Sequence, residues 1–400
     1  MKKGWEYKTL GEISNFISDG DWIEKKDQSL SGIRLIQTGN IGIGEYKDKP
    51  NNAHYISEDT FNKLKCTEIF KNDILISRLP EPLGRSCIMP DLNIRMITAV
   101  DCSIVRLKEK IIIPKWFIYY TMSNKYFRQI KEESSGTTRQ RITRKKLEKF
   151  LIPISDISEQ RRIVSYLDSS FDLIDKIKEN ASKSLSEAKA LFQSALAEAM
   201  EPKEGWEEKT LGEIATDMYR GSGIKRDQIS QIGFPCVRYG EIYTTYNYSF
   251  EKCVSHTDES LINPKKYFSK GDILFAITGE SVEDIGKCIA YTGKDKCLCG
   301  GDIVVMKHNQ YPQFLAYALS TKDAIRQKGL GKVKLKVVHT NVPALKSIKI
   351  YLPTDIQAQK QIVSRLDSLS SKVRAMEEKY QKMIAECDAL KQAMLREVFE

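Results

Sequence analysis

Apolar and small residues recur through residues 156–200 at alternating steps of four and three: Ile163, Leu167, Ser170, Ile174, Ile177, Ala181, Ser184, Ala188, Leu191 and Ala195. Val164, Phe171, Leu185 and Phe192 lie beside that seam and widen it, and the stretch has no Pro or Gly. The pattern predicts one long helix with a coiled-coil stripe. At ~1.5 Å per residue it runs about 65 Å, too long for the interior of one domain. Residues 356–399 carry a cleaner heptad: Ile362, Leu366, Leu369, Val373, Met376, Tyr380, Met383, Cys387, Leu390 and Met394. Two seams of similar length with a folded domain between them are best satisfied by antiparallel pairing within the chain, and small residues on the first against large ones on the second let the helices approach closely; the alternative is that each helix pairs with another chain. Between the helices the period shortens to that of strands. Residues 5–16 read as a short amphipathic opening, 32–44 as a strand and turn, and 74–77, 102–107 and 147–154 as strands; 114–130 reads as a helix entered at Pro114. Its aromatic residues Trp116, Phe117, Tyr120 and Phe127 fall at helical spacing and are expected in a core. The second half repeats the order, with strands at 236–239, 273–277, 302–306 and 348–352 and a helix at 314–327.

The chain contains itself twice. Gly4-Trp5-Glu6-Tyr7-Lys8-Thr9-Leu10-Gly11-Glu12-Ile13 returns as Gly205-Trp206-Glu207-Glu208-Lys209-Thr210-Leu211-Gly212-Glu213-Ile214. Asp73-Ile74-Leu75-Ile76 returns as Asp272-Ile273-Leu274-Phe275, Gly84-Arg85 as Gly286-Lys287, and residues 153–168 as 353–367, always at an offset of about 200 residues. A solenoid would repeat every few tens of residues, so this is one duplication of a whole module. The expected fold is α+β: two α/β recognition domains, 1–152 and 201–352, each followed by a spacer helix, 153–200 and 353–400. The helices pair antiparallel, and the whole is pseudo-two-fold symmetric.

Composition narrows the function classes. With 400 residues there is room for two or three cores. No stretch is apolar for long enough to span a membrane, and the amino terminus has no leader pattern, so a cytoplasmic location is expected. Nine Cys are scattered without framework spacing; Cys297-x-Cys299 with Cys288 lacks a fourth ligand nearby. The net charge of +10 favours a polyanionic partner.

Catalytic patterns are missing. Gly329-Leu330-Gly331-Lys332 lacks the spacing of a phosphate-binding loop, and no GxSxG or HExxH occurs. The four His are far apart in sequence, and Asn263-Pro264-Lys265-Lys266-Tyr267 has Lys265 where a base-methylation loop needs a second Pro. Glu6-x-Lys8 and Glu207-x-Lys209 resemble half of a nuclease motif but have no acidic partner upstream. The chain is therefore expected to bind rather than catalyse, with no catalytic residue, cofactor or metal of its own.

Two polar, basic, Gly-led loops occupy the same place in each copy. Residues 136–146 carry Arg139, Gln140, Arg141 and Arg144; residues 331–341 carry Lys332, Lys334, Lys336 and His339. Such loops suit phosphate contacts by Lys, Thr and backbone N–H, and base contacts by Arg and Gln. Further candidates in the first copy are Trp22, Arg34, Gln37, Thr38, Asn40, Arg78 and Arg85. In the second they are Tyr219, Arg220, Lys225, Arg226, Arg238, Tyr239 and Lys287. Residues 19–26 and 79–85 differ strongly from 219–227 and 278–286, while the opening and helix-leading segments agree. A shared frame with divergent contact segments predicts two readers of one design that see different sequences.

The order domain, helix, domain, helix resembles the specificity (S) subunits of type I restriction-modification systems. The resemblance rests on the opening motif at both module starts and on Pro-x-x-x-Ile-x-Glu-Gln-Arg-Arg-Ile-Val-x-x-Leu-Asp at 153–168, repeated at 353–367 with Ala358 for Glu159. It covers essentially the whole chain. It implies that each domain reads half of a split, asymmetric double-stranded DNA site. The helices would act as spacer and as docking surface for two methyltransferase (M) subunits, and two restriction (R) subunits would complete the complex. S-adenosylmethionine, ATP and magnesium would belong to those partners. The rival readings are a standalone DNA-binding regulator, a bifunctional nuclease-methyltransferase component, and a coiled-coil scaffold without enzyme partners.

Overall fold

The computed structural model describes residues 4–136, 140–331 and 337–400. The chain divides into two compact units, Met1–Ser182 with Gln381–Glu400, and Lys183–Tyr380. The division runs through both long helices, because the two halves of each helix pack into different units.

The first unit begins with β1 (Glu6–Thr9), β2 (Ser14–Asp19), β3 (Ile33–Ile36), β4 (His54–Ile56), α1 (Glu58–Leu64) and β5 (Glu68–Ile69). Next come β6 (Ile74–Ser77), β7 (Ser86–Ile88), β8 (Met96–Thr98) and β9 (Cys102–Leu107). It continues through α2 (Pro114–Thr121), α3 (Asn124–Glu133), α4 (Arg144–Leu147), β10 (Leu151–Ile154) and the start of α5 (Ile157–Ala199). Two four-stranded sheets form, in the orders β2-β9-β6-β7 and β4-β3-β8-β5. The first is antiparallel throughout; the second joins β3 and β8 in parallel. Leu75, Cys87, Cys102 and Ile104 meet Ile36, Ile69 and Met96 in one apolar cluster. Ile74, Ile76 and Val105 alternate to the opposite face and join the core under α2 and α5.

The second unit repeats this frame with additions. It comprises β11 (Trp206–Thr210), α6 (Leu211–Ile214), β12 (Ala215–Arg220), β13 (Ile229–Ser230), β14 (Phe234–Val237), α7 (Tyr239–Thr244), β15 (Ser249–Phe250) and β16 (Ser255–Thr257). There follow β17 (Tyr267–Phe268), β18 (Ile273–Ala276), β19 (Thr278–Gly279), β20 (Cys288–Tyr291), β21 (Cys297–Cys299) and β22 (Ile303–His308). The unit ends with α8 (Pro312–Ala318), α9 (Lys322–Gly329), β23 (Val338–His339), α10 (Val342–Lys346), β24 (Lys349–Pro353) and the start of α11 (Ile356–Phe399). Its sheets run β12-β22-β18-β20-β15 and β13-β16-β14-β21-β17, the same four-strand orders with β15 and β13 added at edges.

The repeated motifs are structural devices. Thr9 and Glu12 form a reciprocal cap: the Thr9 N–H donates to the Glu12 carboxylate at 2.6 Å, and the Glu12 N–H donates to the Thr9 hydroxyl at 3.2 Å. Thr210 and Glu213 repeat it at 2.7 and 3.2 Å. The Glu6–Lys8 and Glu207–Lys209 pairs, resembling half a nuclease motif, are ion pairs along β1 and β11 at 2.8 and 2.7 Å. In the helix-leading motif, Gln160 and Gln359 are both fully buried. Gln160 accepts from the Ile113 N–H and donates to the Ile111 and Ser155 carbonyls, at 2.8–2.9 Å. Gln359 accepts from the Tyr311 N–H at 3.0 Å and donates to Gln310 Oε1 and the Pro353 carbonyl. Each thereby clips the start of a long helix to the segment leading into α2 or α8. A second clip repeats too: the Tyr119 and Tyr317 hydroxyls donate to Asp168 and Asp367 at 2.5 and 2.6 Å.

Several sequence expectations shift. The helix expected over 114–130 is two helices, α2 and α3, because Ser123 caps α3 through the Tyr126 N–H; Thr321 separates α8 and α9 likewise. Residues 147–150 belong to α4 and a turn, not to the strand. Pro153 lies opposite Tyr7, whereas Pro353 lies opposite Trp206, two residues before Glu208, the equivalent of Tyr7, so β10 and β24 place their Pro at different points of the pairing.

The long helices pair antiparallel inside each unit. In the first, Asp175 binds Lys391 at 2.5 Å and Lys178 binds Asp388 at 2.6 Å. Leu167, Phe171 and Ile174 share a core there with Cys387, Met394, Leu395 and Phe399. In the second, Ala188, Phe192 and Leu196 share a core with Val363, Leu366 and Val373. Much of the expected seam is buried, with Ile163, Leu167, Ile174, Ala181 and Ala188 on α5, Leu366, Val373, Cys387 and Met394 on α11, and the flanking Phe171 and Phe192, while Ile177, Leu191, Met376 and Leu390 are exposed. Lys391 takes the inward place beside Leu390, its ammonium 4.9 Å from the Phe171 ring centroid.

His308, at the end of β22, accepts from the Gln310 N–H at 3.1 Å, and burial pulls its pKa from 6.5 to about 4. The folded state therefore disfavours its protonation. The stability this contributes is present above pH 6.5 and is lost as pH falls towards 4, amounting to about 2–3 kcal/mol. His308→Gln should flatten that part of the pH dependence in urea unfolding measured between pH 7.5 and 4.5. An unchanged profile would contradict the assignment.

Candidate nucleic-acid interface

In the first unit one side chain pins two neighbouring loops. Arg85 is 8% exposed and donates to the carbonyls of Ile41 (2.6 Å), Thr38 (2.8 Å), Leu79 (3.0 Å) and Pro82 (3.0 Å). Burial lowers its pKa. The fork of guanidinium donors suits four converging carbonyls, which an ammonium could not reach together. Arg85, expected from sequence to face DNA, instead fixes residues 38–41 against 79–82. Arg34 is engaged in the same way: it is 6% exposed, binds Asp48 at 3.0 Å and donates to the Tyr55 hydroxyl at 3.4 Å. Asn40 is also turned inward. It accepts from the Gln37 N–H and donates to the Lys47 carbonyl, both at 3.0 Å, which sets the short turn 38–40.

This pinning leaves Gln37 and Thr38 half-buried at the rim, and Trp22 is 70% exposed. Asp19 receives two arginines, Arg78 at 3.5 Å and Arg144 at 3.7 Å. Arg78 also donates to the Val100 carbonyl, and Arg144 pairs with Glu148 at 2.9 Å. Gln140 and Arg141 are exposed, and the Ser135–Arg141 backbone pair closes their loop. Arg139 lies outside the described residues. Replacing Arg85 by Ala should cost about 2–4 kcal/mol in urea unfolding, since it orphans buried carbonyls. A loss under about 0.5 kcal/mol would contradict the pin.

In the second unit β19 pairs with β23, which sets segment 278–286 beside the basic loop. The exposed His339 ring meets the Thr278 hydroxyl at 3.1 Å. Tyr243 of α7, missed from the sequence, donates to the carbonyls of Thr278 (3.2 Å) and Asp284 (3.3 Å). Lys287 donates to the Tyr243 carbonyl at 3.3 Å, and burial lowers its pKa. Arg238 precedes α7 and pairs with Glu241 at 3.3 Å; the next residue, Tyr239, is 40% exposed. Arg238, Tyr239, Lys287 and His339 thus gather around one loop cluster. Lys332, Lys334 and Lys336 lie outside the described residues. The other four candidates are not bonded to that cluster. Tyr219 donates to the Tyr267 carbonyl, and Arg220 pairs with Asp302 at 2.9 Å. Lys225 and Arg226 are exposed beyond β12, without an ion pair among the described residues.

The two clusters repeat one glycine turn. Gly84 and Gly286 precede Arg85 and Lys287 with φ of +83° and +72°. A Cβ there would come within 2.6 Å of Ile130 or 2.9 Å of Lys328. Among the described residues no group of three or more His, Cys, Asp or Glu could hold a metal ion, and no helix is long and apolar enough to cross a membrane.

A duplicated α+β frame, each copy carrying a polar, basic loop cluster of different composition, defines a recognition protein with two unlike surfaces. A model of the type I restriction modification DNA specificity domain matches the chain twice, over residues 2–186 and 203–384. The chain belongs to that family and is a DNA target-recognition protein rather than an enzyme. Among its relatives, the EcoKI specificity subunit of Escherichia coli strain K12 is 24% identical over 436 residues, covering 100% of this chain and 89% of that protein. The EcoBI specificity subunit of Escherichia coli is 27% identical over 178 residues, 44% of this chain and 36% of the relative, so the match spans about a third of that subunit's length. Of the solved structures, a chain described for complex assembly and conformational transition of the type I R-M system has the same fold. It superposes with a TM-score of 0.75 at 18% identity, covering 100% of this chain and 98% of that one. The HsdS subunit from Thermoanaerobacter tengcongensis gives 0.50 at 18% identity, covering 100% and 97%.

Proposed function

We propose that this chain reads a split, asymmetric double-stranded DNA site, one half through each unit, and brings methyltransferase and restriction subunits to it. The observation that carries the reading is the contrast between frame and surface. The same strand orders, Gln clips and Gly turns occur twice, while the residues around the loop clusters differ. Two identical surfaces would favour a palindrome; two unlike ones favour unlike half-sites. The test is exchange of residues 1–152 for the first domain of another family member. One half-site should change and the other persist; a change in both, or in neither, would contradict the reading.

The partners fit the helices. Tyr166, Leu173 and Ile177 on α5 are 52%, 61% and 41% exposed, at spacings that place them along one stripe. Such a stripe suits an apolar helix of an M subunit. In the full assembly two M and two R subunits would supply S-adenosylmethionine, ATP and magnesium chemistry, and this chain the address. Tyr166→Glu with Leu173→Glu should reduce capture of the coexpressed M subunit at least tenfold with the melting temperature unchanged. Undiminished capture would remove the stripe from the interface.

A further inference from the structure

A basic pocket of about 670 Å³ opens on the second unit between the edge strands β12 and β17. Lys265, Lys266, Lys294, Lys296 and Lys307 line it. Lys307 pairs with Asp272 at 3.0 Å; the other four have no ion pair among the described residues. Lys296 lies 3.8 Å from the Tyr267 ring centroid and Lys266 lies 5.7 Å from that of Tyr219. The Tyr219 hydroxyl bonds the Tyr267 carbonyl and ties the two sheet edges together.

The first unit provides an internal comparison, because its equivalent strands β2, β9, β5 and β8 build the same place differently. Arg106 stands where Lys307 does, with the Phe16 and Phe70 rings 4.6 and 4.8 Å away and Asp73 at 2.9 Å. Those two Phe positions are Asp217 and Ser269 in the second unit. Arg95, in the place of Lys296, is neutralised by Glu58 at 2.5 Å and Glu68 at 2.9 Å. Cys66, Thr67 and Asn93 stand where Lys265, Lys266 and Lys294 do. One copy is filled and paired; the other is open, lined by five Lys against the single carboxylate of Asp217, and four of those ammonium groups form no ion pair among the described residues.

Such a concentration of like charge favours a polyanion. Flexible ammonium groups suit phosphate oxygens rather than base edges, and Lys296 already covers the Tyr267 face that a base would need. We propose that this pocket binds consecutive phosphates of a DNA strand, holding the duplex without regard to sequence and only on the second unit. The proposal rests on the chain's role in DNA recognition, but not on which loops read bases.

The test uses the full chain carrying K266Q/K294Q/K296Q, compared with the charge-matched K360Q/K372Q/K379Q on α11. The probes are a 30-base-pair duplex without the target motif and inorganic tripolyphosphate, titrated over a KCl series. The pocket variant should bind the duplex at least tenfold more weakly, with a log–log salt slope smaller by about 2.7, as expected from ~0.9 per neutralised phosphate for three lost Lys contacts. The control should match the parent. Pocket and control variants that behave alike would overturn the proposal. So would a pocket variant that loses tripolyphosphate binding yet holds duplex like the parent, because the site would then take free phosphates. The parent's preference for target-bearing over scrambled duplex reports separately on the recognition role.

Discussion

Inserting one heptad at matched positions in α5 and α11 should move the preferred target to one with a longer spacer and leave both half-sites unchanged. Each helix is unbroken, 43 and 44 residues long, and the division between units falls inside both. Seven residues keep the buried stripe on the same face and add about 10 Å. That length corresponds to about three base pairs at ~3.4 Å per step. Three base pairs also turn the duplex by roughly a third of a turn, so affinity for the new site should fall below the parent's for its own. Binding to the original site should drop by at least a thousandfold, measured by selection from a randomised-spacer library. If the original spacer is still preferred, the helices do not set it; if a half-site changes, the division of labour between helix and loop is wrong.

Replacing Gln160 by Leu should cost about 4 kcal/mol. The side chain is fully buried and makes three bonds, so Leu leaves the Ile113 N–H and the Ile111 and Ser155 carbonyls without partners. Each buried orphan costs about 1–3 kcal/mol, partly offset by the apolar replacement. The functional pattern should be one-sided: Gln160→Leu weakens discrimination at the half-site read by the first unit, and Gln359→Leu at the other. Urea unfolding and half-site selection on the two variants check this together. A loss below about 1 kcal/mol, or a symmetric loss of both half-sites, would contradict the clip.

The duplication, the strand cores and both long helices were legible because each is written in periodicity or in repeated words. The seam was legible in most of its positions but not at Ile177, Leu191, Met376 and Leu390, which are exposed. The helices carry apolar residues on more than one stripe, and packing against the domain cores decides that Phe171 and Phe192 turn inward and Ile177 and Leu191 outward. The helix-leading motif was recognisable, but its Gln was not readable as a clip, since the segments it clips, at Ile111 and Ile113 and at Gln310 and Tyr311, lie 47–49 residues upstream. Charge alone did not show which basic residues are held inside the protein. Arg34 and Arg85 look like readers in a sequence, yet buried carbonyls and Asp48 claim them. Conversely, Lys265-Lys266 and Lys294-x-Lys296 were visible as basic pairs. Nothing local revealed that the fold joins them beside Tyr219 and Tyr267.

The most direct test of the central claim is genome-wide mapping of DNA base methylation in cells expressing an M subunit with this chain, without it, and with residues 1–152 exchanged. The account predicts a two-part, asymmetric motif with a fixed gap that disappears without the chain and changes in one half upon exchange. A contiguous motif, or one that persists in cells lacking the chain, would contradict it.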